Sequence, residues 1–343
     1  MTKNRNTYFF PSTSHYWDLF TTKAGRFIDK TREHILQSVN PGGVYHAIWC
    51  RDASYILKYW FLCGNVDGVM QQIYQIWSHQ IILERAEKLL YGRGSSVTNF
   101  TAKAGNIDIQ KKFDGALPTT IYQAGFSEVY GQNPDIDSTA LIISTTSWIL
   151  DRSLKNQENE QKQQRRGSLS GGSSASLSSS VMAPEQSSDY VSALLSKDAI
   201  TDRVAEFAVP RMLKAIEYLN SRDLDNDGIL QQNYNDDWMD TALRASKIVY
   251  SQACWILALN DLSCLLSKLG RDKEADRMIH FMDKAIHGVE QKLWSEEGGC
   301  YIDLQYSESA EGKPYRLLTQ DVSLYLIAVS QNTTNDSLLS GCI

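Results

Sequence analysis

The residues best suited to chemistry lie in one aspartate-rich segment, DLDNDGILQQNYNDDWMDTALR, which covers residues 223–244. Near its end, Asp237 and Asp240 flank Trp238, and an apolar helical sequence follows almost at once. A carboxylic acid held against an apolar ring has a raised pKa and can therefore donate a proton near neutral pH. Such a donor suits the protonation of a leaving-group oxygen, as in the cleavage of a sugar. This pattern predicts Asp240 as a general acid, with Asp237 beside it in the catalytic group.

The same segment is also typical of a loop that caps a helix. Aspartate at the start of a helix accepts hydrogen bonds from backbone N–H groups and interacts favourably with the helix dipole. Aspartate-rich turns are common for that reason. The local pattern alone leaves both interpretations open.

A second candidate piece of a site is Trp49-Cys50-Arg51-Asp52, which directly precedes a nearly continuous apolar run. We expect Asp52 to cap a deeply buried helix that begins after it. Beside the indole of Trp49, Arg51 and Asp52 could bind sugar hydroxyls through charge-assisted hydrogen bonds. A buried ion pair with a helix cap explains the same residues equally well, because buried charges are rarely left unpaired.

The sequence patterns predict neither a metal site nor a cofactor. The motif Asp-x-Asp-x-Asp-Gly at 223–228 resembles the start of an EF-hand loop, but Tyr234 stands where that loop needs a bidentate glutamate. The six histidines and six cysteines are scattered along the chain. The sequence contains neither a glycine-rich phosphate loop nor a zinc-type cluster.

The composition bounds the class of protein. The chain has 343 residues, 42% of them apolar, and a net charge of −6 without a long basic run. These values argue against nucleic acid or an anionic membrane as the main partner. No uninterrupted apolar stretch of about 20 residues predicts a membrane span. The scattered cysteines are typical of reduced thiols, and the N-terminus lacks an apolar secretory core, so we expect a cytoplasmic location.

The spacing of apolar residues predicts mainly helices. Buried helical patterns alternate with amphipathic ones, and glycine- and aspartate-rich loops join them, so an all-α architecture with two helical layers fits best. Pro210 is expected to end one helix and open the next. The expected helices cover approximately residues 17–37, 53–63, 66–90, 137–152, 199–209, 210–220, 248–269, 272–293 and 317–330, with one short strand at 298–302.

Residues 153–188 differ in composition from the rest of the chain. They are polar, rich in serine and glycine, and almost free of large apolar side chains, so we expect a disordered insertion. It separates a first part of the fold, 1–152, from a second part, 189–343, which carries the aspartate-rich loop. Within the insertion, Arg165-Arg166-Gly167-Ser168 matches a basic-directed phosphorylation site, and an unmodified serine in a flexible loop fits as well.

Several motifs, taken in order along the chain, resemble those of one family. They are WCRDA at 49–53, DGALP at 114–118, DIDSTA at 135–140, DLDNDGIL at 223–230 and DDWMDTALR at 236–244. In this order they look like the six-hairpin glycosidases, which include glucoamylases and the glucosidase domain of glycogen-debranching enzymes. The resemblance spans nearly the whole chain apart from the serine-rich insertion, and WCRDA with a downstream DWMD is its most specific part.

This resemblance implies an (α/α)6 toroid, in which six helical hairpins surround an active site at one mouth. It implies Asp240 as the general acid, and Arg51 and Asp52 as contacts to the sugar being cleaved. The residues that would line the pocket are Trp49, Trp238, Asp137 and Asp237. The implied activity is hydrolysis of an α-glucan or a related oligosaccharide with inversion, without a metal or cofactor.

The sequence departs from this family in one respect. Relatives carry a second carboxylate, the base that activates water, near the C-terminal end of the toroid, and the matching motif is not found here. About eight helical segments are recognised in place of twelve, if the two around Pro210 are counted as one, so we expect a ring that is incomplete at its C-terminal end. Either the chain is a truncated product or the base has been lost. A lost base leads to a different function, a glucoamylase-like domain that binds glycan or regulates a partner, as regulatory subunits of phosphorylase kinase do.

Overall fold

Six α-helices dominate the part of the chain that the computed structural model describes, which is residues 39–40, 46–82, 89–92, 112–122, 125–130, 133–170, 197–234, 236–239, 244–305 and 316–317. Helices account for 62% of these residues, so the predicted helical class is confirmed. The helices are α1 (Cys50–Leu62), α2 (Val66–Ser78), α3 (Ile136–Ser170), α4 (Lys197–Asn220), α5 (Val249–Lys268) and α6 (Asp272–Lys292). The strands are β1 (Ile48–Trp49), β2 (Leu89–Gly92), β3 (Thr120–Ile121), β4 (Ser127–Tyr130), β5 (Gln231–Gln232), β6 (Ser246–Ile248), β7 (Trp294–Ser295), β8 (Cys300–Tyr301), β9 (Leu304–Gln305) and β10 (Arg316–Leu317).

Helix α1 begins earlier than the sequence predicts and is less buried. Trp49 is its N-cap residue in an extended conformation, and Asp52 lies in the first turn instead of at the cap. An acidic side chain in the first turn still interacts favourably with the helix dipole. The prediction of a deeply buried helix is wrong, because Tyr55 is 54% and Leu62 is 71% exposed. One face of α1 packs against α2 and α3, and these two side chains lie away from it.

Helix α2 ends at Ser78, well before the predicted end near residue 90. After the helix, Ile81 exchanges backbone hydrogen bonds with residues 115–116. This tertiary pairing takes the place of further helical turns. The last two residues of the predicted helix, Leu89 and Leu90, instead belong to β2, which pairs in parallel with β4.

Helix α3 is much longer than predicted, because it continues to Ser170. The backbone of 153–170 is therefore helical, which corrects the first part of the predicted disordered insertion; residues 171–188 lie outside the described ones. The extension is rich in lysine, glutamine, glutamate and arginine, all of which have high helix propensities. Lys155 also forms an ion pair at 2.5 Å with Asp151, one turn earlier. The lack of large apolar groups argued against a packed core, but it does not prevent helix formation.

Helix α4 passes through Pro210 without ending, so the prediction of two separate helices is wrong. Proline removes one backbone hydrogen bond from a helix interior, and its ring crowds the preceding turn. Val209 and Met212, on either side of the proline, are buried in the core. Packing on both sides of Pro210 therefore holds the two halves in one helix.

The last two helices agree best with the sequence pattern. Helix α5 is buried on most sides, whereas α6 buries one stripe of residues. By length and composition α5 could span a membrane, but 83% of its apolar window is buried inside the protein. Its place in the core explains its apolar composition. Gly270, with a φ of +70°, forms the turn between the two helices.

The helices form three hairpins, α1–α2, α3–α4 and α5–α6, and lie in two layers. In the inner layer, α3 packs against both α1 and α5. Near the starts of α1 and α3, Arg51 binds Asp137, and seven residues further along both helices Lys58 Nζ lies 3.4 Å from Ser144 Oγ. These contacts advance in the same direction, so α1 and α3 are parallel.

Helix α5 runs parallel to α3 as well. Ser144 Oγ donates to Asp261 Oδ2 at 2.5 Å, and Lys268 Nζ donates to the Asp151 carbonyl oxygen at 3.3 Å. All three inner helices therefore begin at the same end of the molecule. The described residues contain three hairpins, where the resemblance implies a ring of six.

Two small four-stranded sheets lie where the inner helices begin. Their strand orders are β1-β3-β4-β2 and β10-β9-β6-β5. Strand β1 leads directly into α1 and β6 into α5, so the sheets determine how the chain enters these helices. The predicted strand near 298–302 is present as β8, paired with β7. The predicted helix at 17–37 lies outside the described residues, and of the one at 317–330 only Leu317 is described, in β10.

Candidate active site

The N-terminal ends of α1, α3 and α5 bring together most of the residues that the sequence singles out. Arg51 comes from α1, Asp137 from α3, and Tyr250 from the first turn of α5. Helix N-termini carry partial positive charge and unpaired N–H groups, so they favour the carboxylates that gather at this end.

The Arg51 guanidinium is held between two carboxylates. Its Nε donates to Asp137 Oδ2 at 2.6 Å, and its Nη2 donates to Asp137 Oδ1 and Asp135 Oδ2 at 3.0 Å each. Burial opposes the charge on Arg51, but the two carboxylates outweigh that effect and raise its pKa. Arg51 is therefore fixed and positively charged at the mouth of the inner helices.

Asp135 is a site residue that the sequence analysis did not single out, although it opens the DIDSTA motif. Thr119 Oγ1 donates to its Oδ1 at 3.2 Å and Ser138 Oγ to its Oδ2 at 3.0 Å. Burial raises the pKa of Asp135, Arg51 opposes this, and the nearby Asp137 raises it further. The two carboxylates thus share one guanidinium in a buried position.

Asp52 lies next to this cluster and remains half-buried. Burial raises the pKa of its carboxyl group, and the neighbouring Arg51 opposes the rise. Because part of Asp52 stays accessible, it can contact a ligand, whereas Asp135 and Asp137 are almost fully enclosed.

The aspartate loop meets the start of α3 through Asp236. The Ile136 N–H donates to the Asp236 carbonyl oxygen at 2.9 Å. The buried Asp236 side chain accepts from Asn133 Nδ2 at 2.9 and 3.2 Å and from the Asn233 N–H at 2.8 Å. Burial raises its pKa to about 7, although these donors and Arg222 oppose the rise.

Asp237, predicted as a catalytic residue, is also buried and surrounded by donors. It accepts from Gln232 Nε2 at 2.9 Å and from the Met239 N–H at 3.0 Å. Arg244 Nη2 lies 3.0 Å from its Oδ2. Burial raises the pKa of Asp237, and Arg244 and Gln232 oppose the rise. These contacts are those of a carboxylate that shapes the loop around it.

Aromatic rings flank the charged cluster. Trp238 is 42% exposed, and its ring meets Tyr250 edge-on at 6.4 Å between centroids. Tyr250 lies close enough to Asp137 and Arg51 for their charges to affect its pKa, which burial raises. On the other side, Trp49 packs at a tilt against Tyr130 at 5.5 Å. Exposed indole beside fixed charges is suited to binding a sugar ring, whose faces are apolar and whose rim is polar.

Arg244, at the far end of the same loop, is only 1% exposed. Besides its contact with Asp237, its Nη1 lies 3.5 Å from Met239 Sδ and 3.7 Å from Asp303 Oδ2. Asp303 precedes β9, and its carbonyl oxygen accepts from the Val249 N–H at 2.8 Å. Arg244 thus joins the loop to the chain segment that supports the start of α5.

The Asp-x-Asp-x-Asp-Gly turn is bound by lysine ammonium groups. Lys247 Nζ pairs with Asp225 at 2.9 Å and also with Asp227, and Lys284 Nζ pairs with Asp223 at 2.9 Å. Within the described residues, no group of three or more His, Cys, Asp or Glu side chains is arranged to hold a metal ion. The turn fastens the aspartate loop to β6 and α6.

Of the residues predicted for the site, the structure brings Arg51, Asp137, Asp237 and Trp238 to one end of the helices, with Trp49 and Asp52 at the start of α1. Asp240, the predicted general acid, lies outside the described residues, directly after Met239. The residues that the sequence analysis missed are Asp135, Gln232, Arg244 and Tyr250. The alternating aspartates of DIDSTA hinted at the first, whereas the other three are recognised only by tertiary contacts.

Comparison with known proteins adds little to this geometry. The chain matches no protein-family profile and no curated protein. A solved structure of a rhamnosidase from Klebsiella oxytoca with rhamnose bound aligns with 63% of this chain, at 10% sequence identity and a TM-score of 0.37. The aligned part covers 31% of the rhamnosidase chain. Similarity at this level identifies neither a family nor an activity for this chain.

Proposed function

We propose that this chain is an inverting O-glycosyl hydrolase that acts on an α-glucan or a related oligosaccharide in the cytoplasm. The observation that carries the proposal is the Arg51 guanidinium, held by Asp135 and Asp137 at the mouth of three parallel helices, beside the loop that bears Trp238. Fixed charges and exposed aromatic surface at one helix end suit the recognition of sugar hydroxyls and ring faces.

In this proposal Asp240 is the general acid. It would protonate the glycosidic oxygen as the bond to the anomeric carbon breaks, while a water molecule attacks from the opposite face. In inverting enzymes this water gives its proton to a second carboxylate roughly 6.5–9.5 Å from the acid, and no residue of this chain is assigned to that role. Asp52 and Arg51 would bind the sugar being cleaved, and Trp49 and Trp238 would line the pocket. The proposed reaction needs no metal or cofactor.

A second function, glycan binding or regulation without catalysis, is favoured by the state of the buried carboxylates. Asp135, Asp137, Asp236 and Asp237 all accept hydrogen bonds or ion pairs from protein groups. These four residues are also at most 3% exposed, so a water molecule beside a bound sugar has no open path to them. A site with such carboxylates can bind a sugar firmly and still lack the base that hydrolysis needs.

The substitution Asp240→Asn tests the assignment of the general acid. Maltooligosaccharide hydrolysis, followed by the release and anomeric configuration of glucose, should fall by about 100-fold or more, since general acids contribute factors of about 10²–10⁴. The melting temperature should stay unchanged. The matched control is Asp276→Asn, which alters an exposed aspartate of α6 and should leave turnover intact.

Equal turnover in the wild-type protein and Asp240→Asn would end the assignment of the acid. Calorimetric titration of the wild-type protein with the same oligosaccharides decides between the two functions. Binding without released glucose supports the glycan-binding domain, and binding with release supports the hydrolase.

A further inference from the structure

We infer that Arg244 is a positioning residue, a buried clasp that holds the turn of residues 237–239, which carries Trp238. Its guanidinium contacts Asp237 and Met239, the residues on both sides of Trp238. One buried side chain therefore contacts both neighbours of Trp238.

Asp237, the carboxylate that Arg244 contacts, also stabilises the turn through hydrogen bonds of its own. Asp237 accepts from the Met239 N–H at 3.0 Å, which holds the backbone around Trp238 in a tight turn. Gln232 donates to the same carboxylate, and Ser251 Oγ in the first turn of α5 donates to Gln232 Oε1. Asp237 is thus bound by the loop, by β5 and, through Gln232, by α5. Burial raises the pKa of this carboxyl group, and the Arg244 guanidinium opposes the rise.

A second contact ties the clasp to the framework of the site. Arg244 Nη1 lies 3.7 Å from Asp303 Oδ2, and the carbonyl oxygen of Asp303 accepts from the first N–H of α5. The side chains of Asp303, Asp237 and Arg244 are all at most 1% exposed. The turn of residues 237–239 and the start of α5 are consequently held by one cluster of buried charges. This arrangement places Trp238 edge-on against Tyr250 of α5.

Fluorine NMR of the protein labelled with 5-fluorotryptophan tests the clasp without relying on any activity. The chain has eight tryptophans, and Trp238→Phe assigns the resonance of interest. In Arg244→Lys and Arg244→Met we expect the Trp238 resonance to shift or broaden, while those of tryptophans outside the cluster stay in place. The matched control is Arg271→Met, which breaks an ion pair with Glu274 outside the site and should leave all eight resonances unchanged.

An unchanged Trp238 resonance in either Arg244 variant would overturn the inference. Arg244→Lys keeps the charge and is the milder change, so it provides the readout if Arg244→Met does not fold. A general loss of structure in both variants would displace all tryptophan resonances together, which would likewise contradict a role confined to positioning this turn.

The effect on turnover rests on the proposed function. There, Arg244→Met should lower kcat by about 100-fold, the cost of a misplacement of roughly 1 Å, with a much smaller change in KM. Arg244→Lys should restore part of the loss. If the wild-type protein releases no sugar, the hydrolase proposal fails, and the Trp238 resonance still decides the role of Arg244.

Discussion

At the scale of single residues, the site consists of carboxylates that burial has removed from water. Burial is the largest cause of the raised pKa values of Asp135, Asp236 and Asp237. The guanidinium groups of Arg51 and Arg244 offset part of this cost. Breaking a cluster of this kind is costly, because removing one partner leaves an uncompensated charge in the interior.

Asp236 gives this cluster a measurable pH dependence. Its pKa is about 7 in the folded protein, above the ordinary 3.8. Below the ordinary value both folded and unfolded chains are protonated, so the contribution of Asp236 to stability is fully present. As the pH rises toward 7 the unfolded chain ionises first, and the free energy of unfolding should fall by roughly 1 kcal/mol per pH unit.

Urea unfolding of the wild-type protein and Asp236→Asn between about pH 4 and pH 8 measures this effect. The asparagine cannot ionise, so the difference between the two stabilities should change in favour of the variant as the pH rises to about 7, and then level off. Asp276→Asn should show no such trend. Parallel profiles for the wild-type protein and Asp236→Asn would contradict a raised pKa at this position.

At the scale of elements, the sequence predicts helices well where one periodic pattern controls the whole segment. The boundaries of α5 and α6 agree with the pattern within one residue, because α5 is apolar on most sides and α6 carries a single apolar stripe. The ends of α2 and α3 do not agree. After α2, Ile81 forms backbone hydrogen bonds with residues 115–116 instead of continuing the helix. Helix α3 continues to Ser170 because its last residues have high helix propensity, although they form no apolar stripe that the sequence pattern could reveal.

Gly115, in the DGALP motif, lies where the backbone approaches α4 too closely for a side chain. It has a φ of +100°, and a Cβ there would lie 2.4 Å from the carbonyl oxygen of Lys214 in α4. Gly115→Ala should therefore add a clash to the left-handed strain and lower the free energy of unfolding by roughly 3 kcal/mol, near the upper end of ordinary substitutions. Urea unfolding measures the loss. Within the DGALP motif, this glycine serves a close approach of two backbones.

Gly270→Ala is the matched control for this prediction. Gly270 has a similar φ of +70°, but a Cβ there would meet no atom within 4 Å. Its replacement should cost only the conformational strain, about 1–2 kcal/mol. If Gly115→Ala and Gly270→Ala lowered stability equally, the contact with α4 would have no energetic importance.

At the scale of the whole molecule, the site depends on three inner helices that begin at the same end. The sequence indicated that Arg51 and Asp137 belong to one site, but it did so through motif order and resemblance. Their hydrogen bond, and the approach of Tyr250, depend on how α1, α3 and α5 align along their axes. That alignment is a tertiary property, and no local pattern in the chain encodes it.

The alignment of α3 and α5 can be tested directly with paired cysteines. Ser144 and Asp261 are in side-chain contact at 2.5 Å, so Ser144→Cys with Asp261→Cys should be joined rapidly by a short bifunctional thiol reagent. Pairing Ser144→Cys with Lys268→Cys places the second thiol seven residues further along α5, about 10 Å away, and should react poorly. The exposed native thiols of Cys63 and Cys264 are replaced by serine in both proteins.

Proteolysis and mass spectrometry of the crosslinked peptides give the yield for each pair. Preferential joining of positions 144 and 261 requires the parallel alignment that brings the starts of the inner helices together. Equal or higher yield for positions 144 and 268 would mean that the helices are shifted by about two turns. A shift of that size along α5 would carry Tyr250 and the Arg244 clasp away from Arg51, and the site would no longer exist as one cluster.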